Sequence, residues 1–179
     1  KQETQTESWN PEAAAGTTVT FYGWGGSQQT NSWIDGQLTD LAKEKYDITI
    51  ERVGMNIDEV LNLMLGEKQA VIKDNGSVDV VWINGENFYT ARENDLLYGP
   101  FTDQLPNFSA YVDETDEDVL TDFGYPIEGY EAPYGKAQFV FIYDSHHITD
   151  VPKNSEELLS WAKENPGRFT YAAMPDFTG

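Results

Sequence analysis

Two stretches of this chain are built alike, and they restrict the fold more than any other feature. Residues 19–24 read Val-Thr-Phe-Tyr-Gly-Trp, rich in β-branched and aromatic side chains, and run into Gly25-Gly26-Ser27 before a helical pattern starts. Residues 78–83 read Val-Asp-Val-Val-Trp-Ile and run into Asn84-Gly85-Glu86-Asn87 before another. Each is a strand ending in a polar, glycine-containing loop that opens a helix. The second is almost continuously apolar, as expected of a strand covered on both faces.

The segments between them complete a rhythm. Trp33, Ile34, Leu38, Leu41 and Ala42 recur at helical spacing, and residues 48–53 form a second strand. Asn56 or Asp58 caps the next helix, whose apolar face is Ile57, Val60, Leu61, Met64 and Leu65. Asp74-Asn75-Gly76 is a turn, and Phe88, Ala91 and Leu96 line a short helix after the third strand. The order β-α-β-α-β-α predicts a parallel sheet with helices on both faces. In such sheets ligands bind beyond the carboxyl ends of the strands, so both polar loops belong to one binding rim.

Beyond Tyr98-Gly99-Pro100 the rhythm changes. Residues 113–122 are densely acidic and residues 125–130 form a turn. Residues 138–143, Gln-Phe-Val-Phe-Ile-Tyr, predict a fourth strand. Asn154-Ser155-Glu156-Glu157 opens a helix through Leu158, Leu159, Trp161 and Ala162, which stops at Asn165-Pro166-Gly167. Residues 168–172 read as the start of another strand. Residues 1–16 are polar and weakly patterned, a tether.

Charge narrows the function. Eleven Lys and Arg stand against 31 Asp and Glu, a net charge of −20. That surface repels phosphate backbones and anionic lipid, which argues against nucleic-acid and membrane-surface binding. With no cysteine there are no disulfides, thiolate nucleophiles or Cys-based metal sites. No stretch approaches the ~20 apolar residues of a membrane helix. A start at Lys1 rather than Met points to an upstream segment removed by processing or trimming.

The candidate sites have competing readings. Gly23-Trp24-Gly25-Gly26-Ser27 lacks the third glycine of a dinucleotide fingerprint, the Lys of a P-loop and the second glycine of a nucleophile elbow. It is either a backbone-amide and hydroxyl cradle for a ligand or a plain tight turn between strand and helix. Asn84, Gly85, Glu86 and Asn87 either touch a ligand or cap the helix they open. His146 and His147 are adjacent on an extended segment and point to opposite sides, so a surface or hinge role outweighs metal binding. The acidic stretch lacks the glycine and terminal Glu of a calcium loop, so it reads as a solvated face. Trp24, Trp82, Tyr134 and Tyr143 sit near strand ends, as pocket walls that stack on a planar or cationic solute or as core.

Taken with Glu131-Ala132-Pro133-Tyr134-Gly135, these two strand-loop motifs and their order resemble the extracellular, periplasmic-type solute-binding proteins of ABC importers, family 1. The match is to a branch related to the polyamine-, thiamine- and iron-binding members. Ser160-Trp161-Ala162, Pro166-Gly167-Arg168-Phe169 and Pro175-Asp176-Phe177-Thr178-Gly179 fit it too, so the resemblance runs from Thr18 to the end. It implies a type II periplasmic-binding-protein-like α/β fold with two lobes and solute in the cleft between them. Trp24, Gly25, Gly26, Ser27, Asn84, Glu86 and Asn87 then line the first lobe's side, and Tyr134 lies near the hinge. Residues 1–16 become the tether of a lipoprotein, residues 17–143 the first lobe, and residues 144–179 the crossing and start of an incomplete second lobe. The implied protein is a fragment that leaves a sheet edge unfilled.

The function expected is that of a non-catalytic, extracytoplasmic component, periplasmic or lipid-anchored, that hands a small solute to importer membrane subunits without cofactor or metal. A cationic or neutral organic solute is favoured, because neither loop carries Lys or Arg. The rival is an enzyme on a doubly wound fold, such as a nucleotide-dependent transferase, against which stands the missing acid–base or nucleophile set.

Overall fold

The computed structural model describes residues 10–136 and 140–172. The chain divides into two compact units, Lys1–Pro133 and Tyr134–Gly179.

In the first unit, a 3-10 turn at Pro11–Ala14 precedes strand β1 (Thr18–Gly23). A long helix follows in three pieces: α1 (Gln28–Trp33), a π-helical segment (Ile34–Leu38) and α2 (Thr39–Tyr46). Ile34 is the buried anchor of this helix, whereas the expected Leu41 is exposed. The helix ends at Asp47 in the left-handed region, φ 55°. Strand β2 (Thr49–Gly54) pairs in parallel with β1 over their full lengths, from Thr18 with Thr49 to Gly23 with Gly54. Helix α3 (Ile57–Gln69) buries Val60.

Strand β3 is only Val80–Val81, paired in parallel with Phe21 and Tyr22 of β1. The sequence predicts it over residues 78–83, and a side chain explains the loss at its N-terminal end. The Asp79 carboxylate accepts the backbone N–H of Thr20 (2.8 Å) and its hydroxyl (2.8 Å), so a side chain takes a donor that a ladder carbonyl would otherwise take. Past the ladder, Trp82 still donates its N–H to Tyr22 O at 2.8 Å.

Helix α4 (Gly85–Glu93) buries Phe88 and Ala91. A 3-10 turn at Thr102–Gln104 and the single-turn helices α5 (Phe108–Tyr111) and α6 (Glu117–Leu120) lead to a small hairpin of β4 (Thr121–Asp122) and β5 (Tyr125–Pro126). The acidic stretch expected to be a solvated face therefore also supplies α6 and one hairpin strand.

The main sheet has the order β2-β1-β3. The chain steps from β1 to β2 on one side, then crosses back to β3 on the other. Parallel crossovers are right-handed, so the two steps in opposite directions put α1–α2 and α3 on opposite faces. Helix α4 packs against α3 and so shares its face.

In the second unit, helix α7 (Ser155–Glu164) begins as the sequence predicts. Asn154 accepts the N–H of Glu157 at 2.9 Å, and Glu157 returns the bond to the N–H of Lys153 at 2.8 Å. Phe169 packs between Phe141 (5.6 Å between ring centroids) and Tyr171 (5.8 Å). The predicted fourth strand is not formed: residues 140–143 are irregular and exposed, and residues 137–139, including Gln138, lie outside the described residues. Residues 168–172 are not a strand either. A β-branched, aromatic run becomes a strand only when a neighbouring strand takes its N–H and C=O groups. Among the described residues no strand pairs with these two segments.

Candidate functional site: a crevice at the sheet rim

Because β1, β2 and β3 are parallel, the loops after all three lie on one rim. The loop leaving β1 turns to one face of the sheet, and the loop leaving β3 turns to the other. Adjacent strands whose connections part in this way form a topological switch point, where open α/β sheets bind ligands. The switch lies between β1 and β3. The structure thus places Trp24, Gly25, Gly26 and Ser27 on one loop and Asn84, Glu86 and Asn87 on the other along the same rim, on either side of the switch point.

The β1 loop is held by backbone contacts. Gly25 has φ +74°, and a Cβ there would stand 3.1 Å from the Cα of Gly54, so the loop after β1 passes tightly over the end of β2 in a conformation that favours glycine. Gly26 lies under the Trp24 indole, where any Cβ would overlap the ring. That indole is 71 % exposed, a large apolar face left to solvent at the rim. Trp82 instead packs edge-on against Phe21, at 6.2 Å. The Ser27 hydroxyl accepts the N–H of Thr30 at 3.3 Å, and Asn31 donates its side-chain amide to Gly25 O at 2.7 Å. Ser27 is therefore the N-cap of α1.

The β3 loop differs. Asn84 precedes α4 but makes no side-chain cap. The first N–H of α4, on Gly85, donates to the carboxylate of Asp122 on β4, a partner 37 residues away in sequence. Gly85 has φ +51°, and a Cβ there would stand 3.0 Å from the Phe123 ring. These contacts frame an open recess of about 360 Å³, lined by Gly85, Glu86, Tyr89, Asp122, Phe123 and Tyr125. Tyr89 and Tyr125 meet edge to face at 4.9 Å. Burial pushes the Asp122 carboxyl up, partly offset by the Gly85 N–H. Half-buried Glu131 is pushed up to about 7, first by burial and then by the charge of Asp122.

Sequence reasoning missed Tyr89, Asp122, Phe123, Tyr125 and Glu131 as neighbours of the rim. It also missed a cation. Arg52 lies inside β2, outside either loop, yet its Nη1 sits 3.8 Å from where a Gly25 Cβ would be. Its Nε and Nη2 are held by the two oxygens of Asp35 on the π-helical segment (2.7 and 2.8 Å). That fork holds the Asp35 carboxyl below the usual carboxylate range. Alternation along β2 could have pointed to Arg52; nothing local could have pointed to Asp122.

Tyr134 and Tyr143 belong to the second unit, and both are exposed. His146 donates its backbone N–H to Asp144 (2.8 Å), and the His147 Nε2 lies 3.7 Å from the same carboxylate. Among the described residues, no group of three or more His, Asp or Glu is placed to hold a metal ion. No helix among them is long and apolar enough to cross a membrane.

Comparison with known proteins decides the family. Residues 37–179 match the family model for bacterial extracellular solute-binding proteins. The chain belongs to that family. It is also 39 % identical over 170 residues to Protein YnjB of Escherichia coli (strain K12). That match covers 93 % of this chain and 42 % of YnjB, so the chain spans less than half the length of this relative.

Proposed function

We propose that this chain is the solute-capturing part of an extracytoplasmic binding component of an ABC importer, periplasmic or lipid-anchored, and that it is not an enzyme. The observation that carries the reading is the switch point between β1 and β3, with both polar loops beside it, in a chain of this family. Trp24, Gly25, Gly26, Ser27, Asn84, Glu86 and Asn87 are the proposed contacts on this side. Tyr134 is the proposed contact near the hinge, with residues 17–143 as the first lobe and residues 144–179 as the crossing and start of a second. Capture works by closure of the two lobes around the solute. The rim offers an exposed indole, amides and Glu86, while Arg52 is already neutralised by Asp35, which supports a cationic or neutral organic solute.

Mass spectrometry of the small molecule released from natively purified protein tests the reading. The expected result is one stoichiometric organic solute whose retention falls in Trp24→Ala. Turnover of that molecule by the protein, or retention indifferent to changes in both loops of a folded protein, overturns it.

A further inference from the structure

We propose that the recess between the first turn of α4 and the β4–β5 hairpin is the subsite that takes an organic ammonium group of the solute. This deepens the rim reading and rests on it.

A bare helix N-terminus beside a sheet rim attracts anions. Here the first donor of α4 is already given to Asp122, so an arriving anion meets a carboxylate instead. Glu86 adds a second negative charge to the lining, and half-buried Glu131 lies close enough to Asp122 for the two to repel. Tyr125 also senses Glu93, whose carboxylate accepts its hydroxyl at 3.2 Å, and Glu128. A cation nearby is Arg92. Its guanidinium is committed to Glu128 at 2.7 Å and to the face of Tyr130 at 3.5 Å. The field at the recess is therefore negative.

The walls suit the same guest. Tyr89 and Tyr125 meet edge to face, and the Phe123 ring stands beside Gly85. Carboxylates beside aromatic faces are the surroundings that hold ammonium groups. A volume of about 360 Å³ is at the small end for ligand sites, so it holds a headgroup, with the rest of the solute left to the crevice at Trp24. A cation placed here relieves the repulsion between Asp122 and Glu131, so binding is accompanied by proton release near neutral pH.

The test is NMR titration of the protein with butylammonium, reading the amides of Gly85, Glu86 and Tyr125, with 1-butanol and butyrate as neutral and anionic controls. Butylammonium should shift these amides saturably, several-fold more tightly at pH 8 than at pH 5.5. Butanol and butyrate should not. Asp122→Asn keeps an oxygen acceptor for Gly85 and should weaken butylammonium about tenfold. Glu131→Gln should flatten the pH dependence. Should Asp122→Asn not fold, Tyr89→Leu, at an exposed position, should weaken butylammonium several-fold without unfolding. Equal response to butyrate, or butylammonium affinity unchanged in the folded variants, overturns the proposal. A stoichiometric solute still lost in Trp24→Ala would then leave the rim reading standing, so the two can fail separately.

Discussion

The carboxyl of Glu131 links stability to pH, and the sign follows from the direction of its shift. Burial and the charge of Asp122 raise it from the ordinary 4.5 to about 7. The folded chain thus holds this proton more tightly than the unfolded chain. The resulting stabilisation is full below about 4.5 and is lost as pH rises through about 7. Left unscreened, a shift of this size corresponds to roughly 3 kcal/mol. The side chain keeps part of its contact with water, which lowers the figure to about 1–2 kcal/mol. Glu131→Gln removes the titrating group and keeps the shape. The assay is urea denaturation of both proteins at pH 5 and pH 8. The mutual repulsion of a chain of net charge −20 also grows with pH, but it is nearly common to both and cancels in the comparison. The native chain should lose about 1–2 kcal/mol more than Glu131→Gln between the two pH values. Equal losses in both proteins would show that the carboxyl is not desolvated as described.

Gly25→Ala combines a left-handed residue with a Cβ 3.1 Å from the Gly54 backbone, and should cost about 2 kcal/mol or more by thermal denaturation. Gly66→Ala, inside α3 with open space around it, should instead stabilise by about 0.5–1 kcal/mol in the same assay. Trp24→Ala should leave the melting temperature nearly unchanged, because the indole is 71 % exposed, yet weaken solute binding by roughly tenfold in calorimetry.

What was legible in the sequence was local. Strands β1 and β2, and helices α3, α4 and α7, were readable because β-branched runs and helical spacing are properties of consecutive residues. The shortening of β3 was not, since it depends on Asp79 reaching Thr20 across 59 residues. The rim itself was readable, as two loops that follow two strands. The crevice was not, because a switch point depends on strand order, and the order β2-β1-β3 is set by tertiary packing. Residues 140–143 show the opposite failure: their local preference for a strand is strong, and the described residues contain no neighbour to realise it. Asn84 illustrates a third. Its position and type predicted a cap, yet its side chain makes none, and the acceptor that does reach this helix start, at the N–H of Gly85, comes from β4.

The same acceptor fits a pattern along the whole rim. A parallel sheet presents a row of helix N-termini at its carboxyl edge, and each is an opportunity for an anion. In this chain the protein's own side chains take those positions. Ser27 serves α1, Glu59 accepts the N–H of Asn56 at the start of α3 (3.2 Å), and Asp122 serves α4. The guanidinium that reaches the edge, Arg52, is closed by Asp35. Each device has a structural role, in capping a helix or tying a strand to a helix. Their sum is a rim whose positive elements are already satisfied, while the indole of Trp24 and the carboxylate of Glu86 remain exposed. At α4 an anionic solute would have to displace an internal carboxylate to gain the first helix-end hydrogen bond, whereas an ammonium group displaces only water. The charge preference proposed for the site thus follows from how the helix starts are satisfied.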